Sequence, residues 1–295
     1  MTPGAEVESR KPGHYVVIGA SWGGISALRR LAAALPPDFG ATILVAQHIG
    51  AQPSQLAEML DRAGPLDAVW ATQGARMLPG TIYVAPPDRH LLVEGNHLRL
   101  SAGPKENHAR PAIDPLLRSA AIAHRARCIG VILTGSLDDG TAGLDAVKRC
   151  GGTAVVQDPA DAEQAEMPRS AIESVYVDHI VPLDDIAPLL SALVSRTVPE
   201  SSMDVPSVDI PQTVLQEAEM LKGDRIMNRL AALASLRRLP VRTAAGRYSR
   251  CGRRRRCAID VIRDMRTRCE AWPPPRAKTR RPPCGRPCGR WAKGK

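Results

Sequence analysis

The chain has 295 residues, enough to bury a core in one or two domains. Its first residues are polar, and no apolar run approaches the roughly 18 residues that cross a bilayer; both argue against a secretory leader and a membrane span, so a cytoplasmic protein is expected. The net charge of +10 hides a split. Residues 236–295 hold 20 Lys+Arg against 3 Asp+Glu, leaving 20 Lys+Arg against 27 Asp+Glu in residues 1–235. An acidic body carries a basic tail, so nucleic acid is not an expected partner of the body. Aromatics make up only 3% of the chain, which leaves aliphatic side chains to fill the core. Cys128 and Cys150 lie in the body and Cys251, Cys257, Cys269, Cys284 and Cys288 in the tail. Two cysteines in so long a body indicate a reducing compartment without a disulfide framework.

In chain order, residues 14–20 (HYVVIGA) read as a buried strand and ISALRRLAAALP as a helix stopped by Pro36 and Pro37. ATILVAQH (41–48) reads as a second buried strand and residues 53–64 as a helix, opened near Pro53 and closed near Gly64. This β-α-β-α start implies a parallel sheet with right-handed crossovers. Short segments at 68–76, 80–85, 90–94 and 97–101, broken by Gly, Pro and Asn, read as a small antiparallel hairpin insertion. A helix over 113–126, a third buried strand over 128–135, a helix over 143–152, a strand over 153–158 and helices at PRSAIES and 183–196 follow. The fold class is α/β, doubly wound, with helices on both faces of a mainly parallel sheet. The domain plan is a disordered N-terminus (1–13), an α/β domain (14–196), a Pro/Ser-rich linker (197–213), an amphipathic helix (214–236) and a tail (237–295).

Gly19-Ala20-Ser21-Trp22-Gly23 ends the first strand and opens the first helix, and it fits G-x-S-x-G, the nucleophile elbow. The tight turn presents a hydroxyl, and the helix N-terminus behind it favours a developing oxyanion. A dinucleotide-binding loop fits less well: Ser21 stands where the second glycine is needed, and His48 rather than an acidic residue ends the second strand. A purely structural turn is the third reading. A serine hydroxyl needs a base at neutral pH, and His48 sits at the carboxyl end of the second strand, on the same sheet edge. The third strand runs into Gly135-Ser136-Leu137-Asp138-Asp139-Gly140 at that edge. One aspartate can orient the imidazole; Asp139 is chosen, and Asp138 is read as a cap for the following helix.

Together, VVIGASWGG, LVAQHI, MLPGTIYVAPPDRHL, NHARPAIDPLLRSAA, GVILTGSLDDGTAGL and the EMPRSAI segment resemble the catalytic domain of CheB-type chemotaxis methylesterases, in order over about residues 14–195. The resemblance implies hydrolysis of glutamyl methyl esters on chemoreceptors, and in many members deamidation of receptor glutamines. It implies Ser21 as nucleophile, His48 as general base, Asp139 as orienting acid and the backbone N–H groups of Trp22 and Ser136 as oxyanion donors. No metal or other cofactor is implied. The alternative is an inactive relative serving as a signalling scaffold or binding module. The chain departs from the family pattern at Trp22, where threonine is usual, and at Gly135-Ser136-Leu137, where Gly-Met-Gly is usual. A positive φ at Leu137 would strain that loop.

Family members commonly carry an N-terminal receiver domain, for which about 13 residues leave no room. Regulation is then expected from a response-regulator or kinase partner in trans, with the cytoplasmic helices of methylated chemoreceptors as substrate. Arg110 has two open readings, a contact to an acidic receptor helix or a pair with a nearby carboxylate. Met167, in Met167-Pro168-Arg169, is read as cleft floor, although a helix start explains Pro168 equally. His90 is read as either a family residue or a structural one. His97, His108, His124 and His179 show no metal-ligand spacing. For the tail, the functional reading is an RNA- or phosphate-binding arm, with a zinc site as the next option at poor ligand spacing; a disordered arm and an out-of-frame reading of GC-rich DNA also stay open.

Overall fold

The computed structural model describes residues 13–196 and 212–220. β1 (Tyr15–Ala20) and β2 (Thr42–Gln47) are buried along their whole length. A strand covered on both faces needs apolar side chains at nearly every position, so YVVIGA and TILVAQ read as continuous runs. Between them, α1 (Gly24–Ala34) buries Ala27, Leu28, Leu31 and Ala32, the spacing of one helical face. α2 (Leu56–Asp61) is shorter than the expected 53–64. Ser54 Oγ accepts the Leu56 N–H at 3.2 Å at its start.

Residues 68–76 and 80–85 depart from expectation. They supply β3 (Asp67–Trp70) and β4 (Thr81–Val84) to the main sheet, and both strands pair parallel. Ala68, Ile82 and Val84 join the core beneath α1 and α2, and that burial overrides the short lengths and turn residues that suggested a separate insertion. The antiparallel hairpin is β5 (His90–Glu94) with β6 (His97–Ser101) alone. Gly95, at φ 58°, supplies the positive φ that its two-residue turn demands.

α3 (Ile113–His124), β7 (Cys128–Ile132), α4 (Thr141–Arg149), β8 (Thr153–Gln157) and α5 (Glu166–Ser174) follow. Pro168 falls in the first turn of α5, where its missing N–H costs nothing. β9 (His179–Val181), only three residues and partly exposed, left no sequence signal. α6 (Leu183–Ser195) closes the domain.

The sheet has seven parallel strands in the order β3-β4-β2-β1-β7-β8-β9, so β1 is central and the winding reverses beside it. Val16, Ile18, Ile43, Val45 and Val131 face one core layer with α1, α2 and α6. Tyr15, Val17, Leu44, Ala46 and Val156 face the other, with α3, α4, α5 and the hairpin. Fully buried leucines and isoleucines such as Leu31, Ile43 and Leu116 each contribute about 1.5–3 kcal/mol by leaving water.

α7 (Gln212–Met220) packs on α3, with Val214 buried and Glu217 3.3 Å from Arg118. Gln212 and Thr213, assigned to the linker from sequence, are helical. The rest of the expected helix over 214–236, the remaining linker, the N-terminal residues 1–12 and the tail lie outside the described residues. Among the described residues no helix is long and apolar enough to cross a membrane.

Candidate active site

Ser21 follows the last residue of β1, at the sheet edge where ligands bind in open α/β folds. Its backbone is tied on both sides. The Ser21 N–H donates to Thr134 O at 3.0 Å, beyond the end of β7. Its carbonyl accepts the Gly24 N–H at 2.9 Å and the Gln47 side-chain amide at 2.7 Å. The turn into α1 passes through Gly23 at φ 75°. Gly135 packs so closely that a Cβ there would lie 2.8 Å from Ser21 Cβ, so the two strand-end turns leave no room for a side chain between them.

The tips of β1, β2 and β7 bring three reactive groups into line. Ser21 Oγ lies 3.0 Å from His48 Nδ1, and His48 Nε2 lies 2.6 Å from Asp139 Oδ2. A carboxylate only accepts, so Nε2 carries the hydrogen and Nδ1 presents its lone pair to the Ser21 O–H. The His48 side chain is 21% exposed and that of Asp139 2%, so the histidine reaches the cleft while the aspartate stays dry.

Asp139 is held by three further donors. Its Oδ2 accepts the Ile113 N–H at 2.8 Å, and its Oδ1 accepts the Asp114 N–H at 3.1 Å and the Asn107 amide at 2.7 Å. Burial alone would raise its pKa, but hydrogen bonds from His48, Ile113 and Asn107, with the attraction of His48, outweigh it and hold the carboxyl below the usual range. Asp114 is pushed up to about 7, first by burial and then by the negative charge of Asp139. Asp138 does not cap α4 through its side chain: it offers only its backbone carbonyl, to the Thr141 N–H at 3.1 Å. The capping carboxylate is Asp114, whose Oδ1 accepts the Gly140 and Gly143 N–H groups at 3.0 and 2.6 Å.

An open cleft of ≈ 680 Å³ lies over Ser21, lined by Trp22, Ile25, Arg29, Gln47, His48, Ser136 and Glu163 among others. Trp22 is 69% exposed at its mouth. Among the described residues no acceptor engages the Trp22 or Ser136 N–H, so both remain available to a ligand oxygen. Leu137 does adopt a positive φ, 65°, and its side chain is largely exposed. The left-handed conformation costs a branched residue about 1–2 kcal/mol, and glycine's extra unfolded-state entropy about 0.5–1 kcal/mol. Leu137→Gly is therefore expected to stabilise the protein by up to about 1.5 kcal/mol in urea denaturation; a loss of stability would show that the exposed leucine makes contacts that repay its strain.

The remaining sequence candidates fall elsewhere. Arg110 spends its guanidinium on Asp88 (2.6 and 2.8 Å) and on the carbonyls of Ala102 and Gly103, which places it on the carboxylate-pairing side of its two readings. That pairing holds Asp88 below the usual carboxylate range. Met167 has no exposed surface and supports the Gly135 turn from below. His90 is buried, donating to Pro104 O at 2.9 Å and accepting the Ala112 N–H at 3.3 Å, which is structural work. No cluster of three or more metal-ligating side chains occurs among the described residues. Asn107, Asp114 and Gln47 were not singled out from sequence; Asn107 and Asp114 stand inside a quoted motif, yet nothing local marks them as neighbours of residue 139.

A hydroxyl-imidazole-carboxylate line at the edge of a doubly wound parallel sheet is the arrangement that serine hydrolases use. A family model described as CheB methylesterase matches residues 16–190. The chain belongs to the CheB methylesterase family, a family of hydrolases linked to chemotaxis. It is 42% identical over 180 residues to a putative protein-glutamate methylesterase/protein-glutamine glutaminase of Leptospira interrogans, covering 60% of this chain and 93% of that protein. It is 38% identical over 187 residues to protein-glutamate methylesterase/protein-glutamine glutaminase 2 of Caulobacter vibrioides, covering 61% of this chain but 54% of that protein. The chain thus spans most of the first relative and about half of the second. The crystal structure of the Thermotoga maritima CheB methylesterase catalytic domain matches with a TM-score of 0.59 at 38% identity, over 62% of this chain and 99% of that one.

Proposed function

We propose that this protein hydrolyses γ-glutamyl methyl esters on receptor helices, using Ser21 as nucleophile, His48 as general base and Asp139 as the carboxylate that orients it. The observation that carries this reading is the unbroken line from Ser21 Oγ to His48 Nδ1 at 3.0 Å and from His48 Nε2 to Asp139 at 2.6 Å. Ser21 Oγ attacks the ester carbonyl while its proton passes to Nδ1. The tetrahedral oxyanion lies against the Trp22 and Ser136 N–H groups, at the N-terminus of α1. His48 then returns the proton to the departing methoxide, and methanol leaves an acyl-enzyme. Water, deprotonated by His48, attacks the acyl carbon, and the proton passes back to Ser21 Oγ as free glutamate departs. A glutamine side chain follows the same course with ammonia as leaving group.

The relatives' names support both activities, and the uncommitted Trp22 and Ser136 donors support the oxyanion assignment. Met167, in this reading, shapes the cleft indirectly, by packing beneath the Gly135 turn. Control of activity by a response-regulator or kinase partner in trans belongs to the same proposal. The second reading, a binding module without catalysis, draws on the exposed Trp22 at the cleft mouth and the strained Leu137 beside it. Two measurements separate them. Methanol release from a methylated receptor is expected from the wild-type protein, together with covalent labelling of Ser21 by a serine-directed phosphonate. Receptor binding with neither methanol nor label would leave the binding module standing.

A further inference from the structure

We infer that Asn107 and Asp114 are positioning residues that clamp the Asp139 carboxylate in the orientation His48 needs. The inference rests on the triad reading above, but the geometry behind it is separate. Asp139 precedes α4, yet it accepts the first two N–H groups of α3, from Ile113 and Asp114. Asp114 sits in the first turn of α3, yet it accepts the N–H groups of Gly140 and Gly143 at the start of α4. Each helix is capped by a carboxylate belonging to the other. One amide joins the two: Asn107 Nδ2 donates to Asp139 Oδ1 at 2.7 Å and to Asp114 Oδ2 at 2.8 Å.

The clamp limits how Asp139 can turn. Each of its oxygens has two donors, and the only side chain besides His48 among those four is Asn107. Removing the Asn107 donor leaves Oδ1 with the Asp114 N–H alone, so the carboxylate can turn and carry Oδ2 off the His48 Nε2–H axis. Two buried carboxylates side by side also repel, and the shared Asn107 hydrogens are what lie between them. The Asn107 backbone itself sits at φ 49°, a conformation asparagine tolerates better than most residues, with His108 at φ 60° after it. Alanine at 107 would confound a lost donor with backbone strain, so glycine is the cleaner deletion.

The test uses the full chain with methylated receptor as substrate. Asn107→Gly is expected to lower kcat about 10- to 100-fold with KM within about twofold, the size typical of losing a group that orients a reactive ligand. Asn107→Asp keeps the shape but sets a third carboxylate against Asp114 and Asp139, with the Arg118 guanidinium and the His48 Nε2–H facing this cluster. Its kcat is expected to fall about 100-fold or more near neutral pH. Its activity relative to wild type is then expected to rise as the pH is lowered and the new carboxyl gains a hydrogen to donate. A merely structural loop would not give that pH-dependent recovery. Proton NMR of the hydrogen-bonded Nε2–H of His48 reads the same clamp without turnover: a resolved low-field signal in wild type, broadened or lost in Asn107→Gly. Near-wild-type kcat in both variants, or an unchanged low-field signal, would overturn the inference even where wild-type turnover upholds the triad. If wild type itself proved inactive, the triad reading would fail and the NMR comparison alone would decide the clamp.

Discussion

Ser21→Ala is expected to reduce kcat for methyl-ester hydrolysis by roughly 10⁴- to 10⁶-fold, with KM little changed. Removal of the nucleophile from other serine triads costs up to about 2 × 10⁶ in kcat, and the residual rate comes from oxyanion donors and substrate binding. Here the uncommitted Trp22 and Ser136 N–H groups and the α1 N-terminus survive the substitution. The variant should therefore still bind methylated receptor. Alanine fits wherever serine does, and the hydrogen bonds that shape the turn run through the Ser21 backbone, so the fold has no reason to change. Methanol release within about tenfold of wild type would remove Ser21 from the mechanism and return its turn to a structural role.

Asp139→Asn is expected to cost about 10⁴ in kcat, the scale seen when a triad carboxylate becomes an amide. The physical reason is the histidine tautomer. An amide nitrogen facing His48 Nε2 requires a lone pair there, which moves the ring hydrogen to Nδ1, where it points at Ser21 Oγ instead of accepting from it. Turning the amide over does not help: its NH₂ then meets the Asn107 and Asp114 donors that now face Oδ1. The substitution has a second, independent readout. Asp114 is raised to about 7 partly by the charge of Asp139. Between the ordinary carboxylate range and that value, the folded chain holds a proton that the unfolded chain has lost. Asp114 therefore contributes a loss of stability as pH rises through the window, opposite in sign to the buried histidines His90 and His124. Asp139→Asn removes one of the two causes that raise Asp114, so its stability relative to wild type should increase between about pH 5 and pH 7 in urea titrations. A difference between the two proteins that stays constant with pH would mean that burial alone raises Asp114.

What the sequence made legible was the part of the site that each strand delivers by itself. Ser21 and His48 each stand just past a buried apolar run, Asp139 lies in the loop that leads from a third such run into the next helix, and a parallel sheet puts those strand ends on one edge. The condition attached to Leu137 could also be framed in advance, since only glycine takes a positive φ freely, and the structure supplies that φ. The clamp was not legible. Asn107 and Asp114 lie 32 and 25 residues from Asp139, and only the docking of α3 against α4 brings them together. Arg110 had two readings because a guanidinium in a loop says nothing of which carboxylate it will find; Asp88, 22 residues away, is the partner. β3 and β4 were misplaced for a related reason. Four-residue strands carry too little periodicity to say which sheet they join, and burial beneath α2 decides it.

The crossed capping of α3 and α4 has a bearing on how this protein can fail. The carboxylate behind His48 belongs to the segment before one helix and takes its ligands from the start of the other. Loosening of either helix, by heat, denaturant or a distant substitution, withdraws those donors even where the sheet stays intact. On the proposed mechanism, turnover thus depends on α3 and α4 staying docked on each other. A population with that pair loosened would keep Ser21 and the cleft beside it while losing turnover.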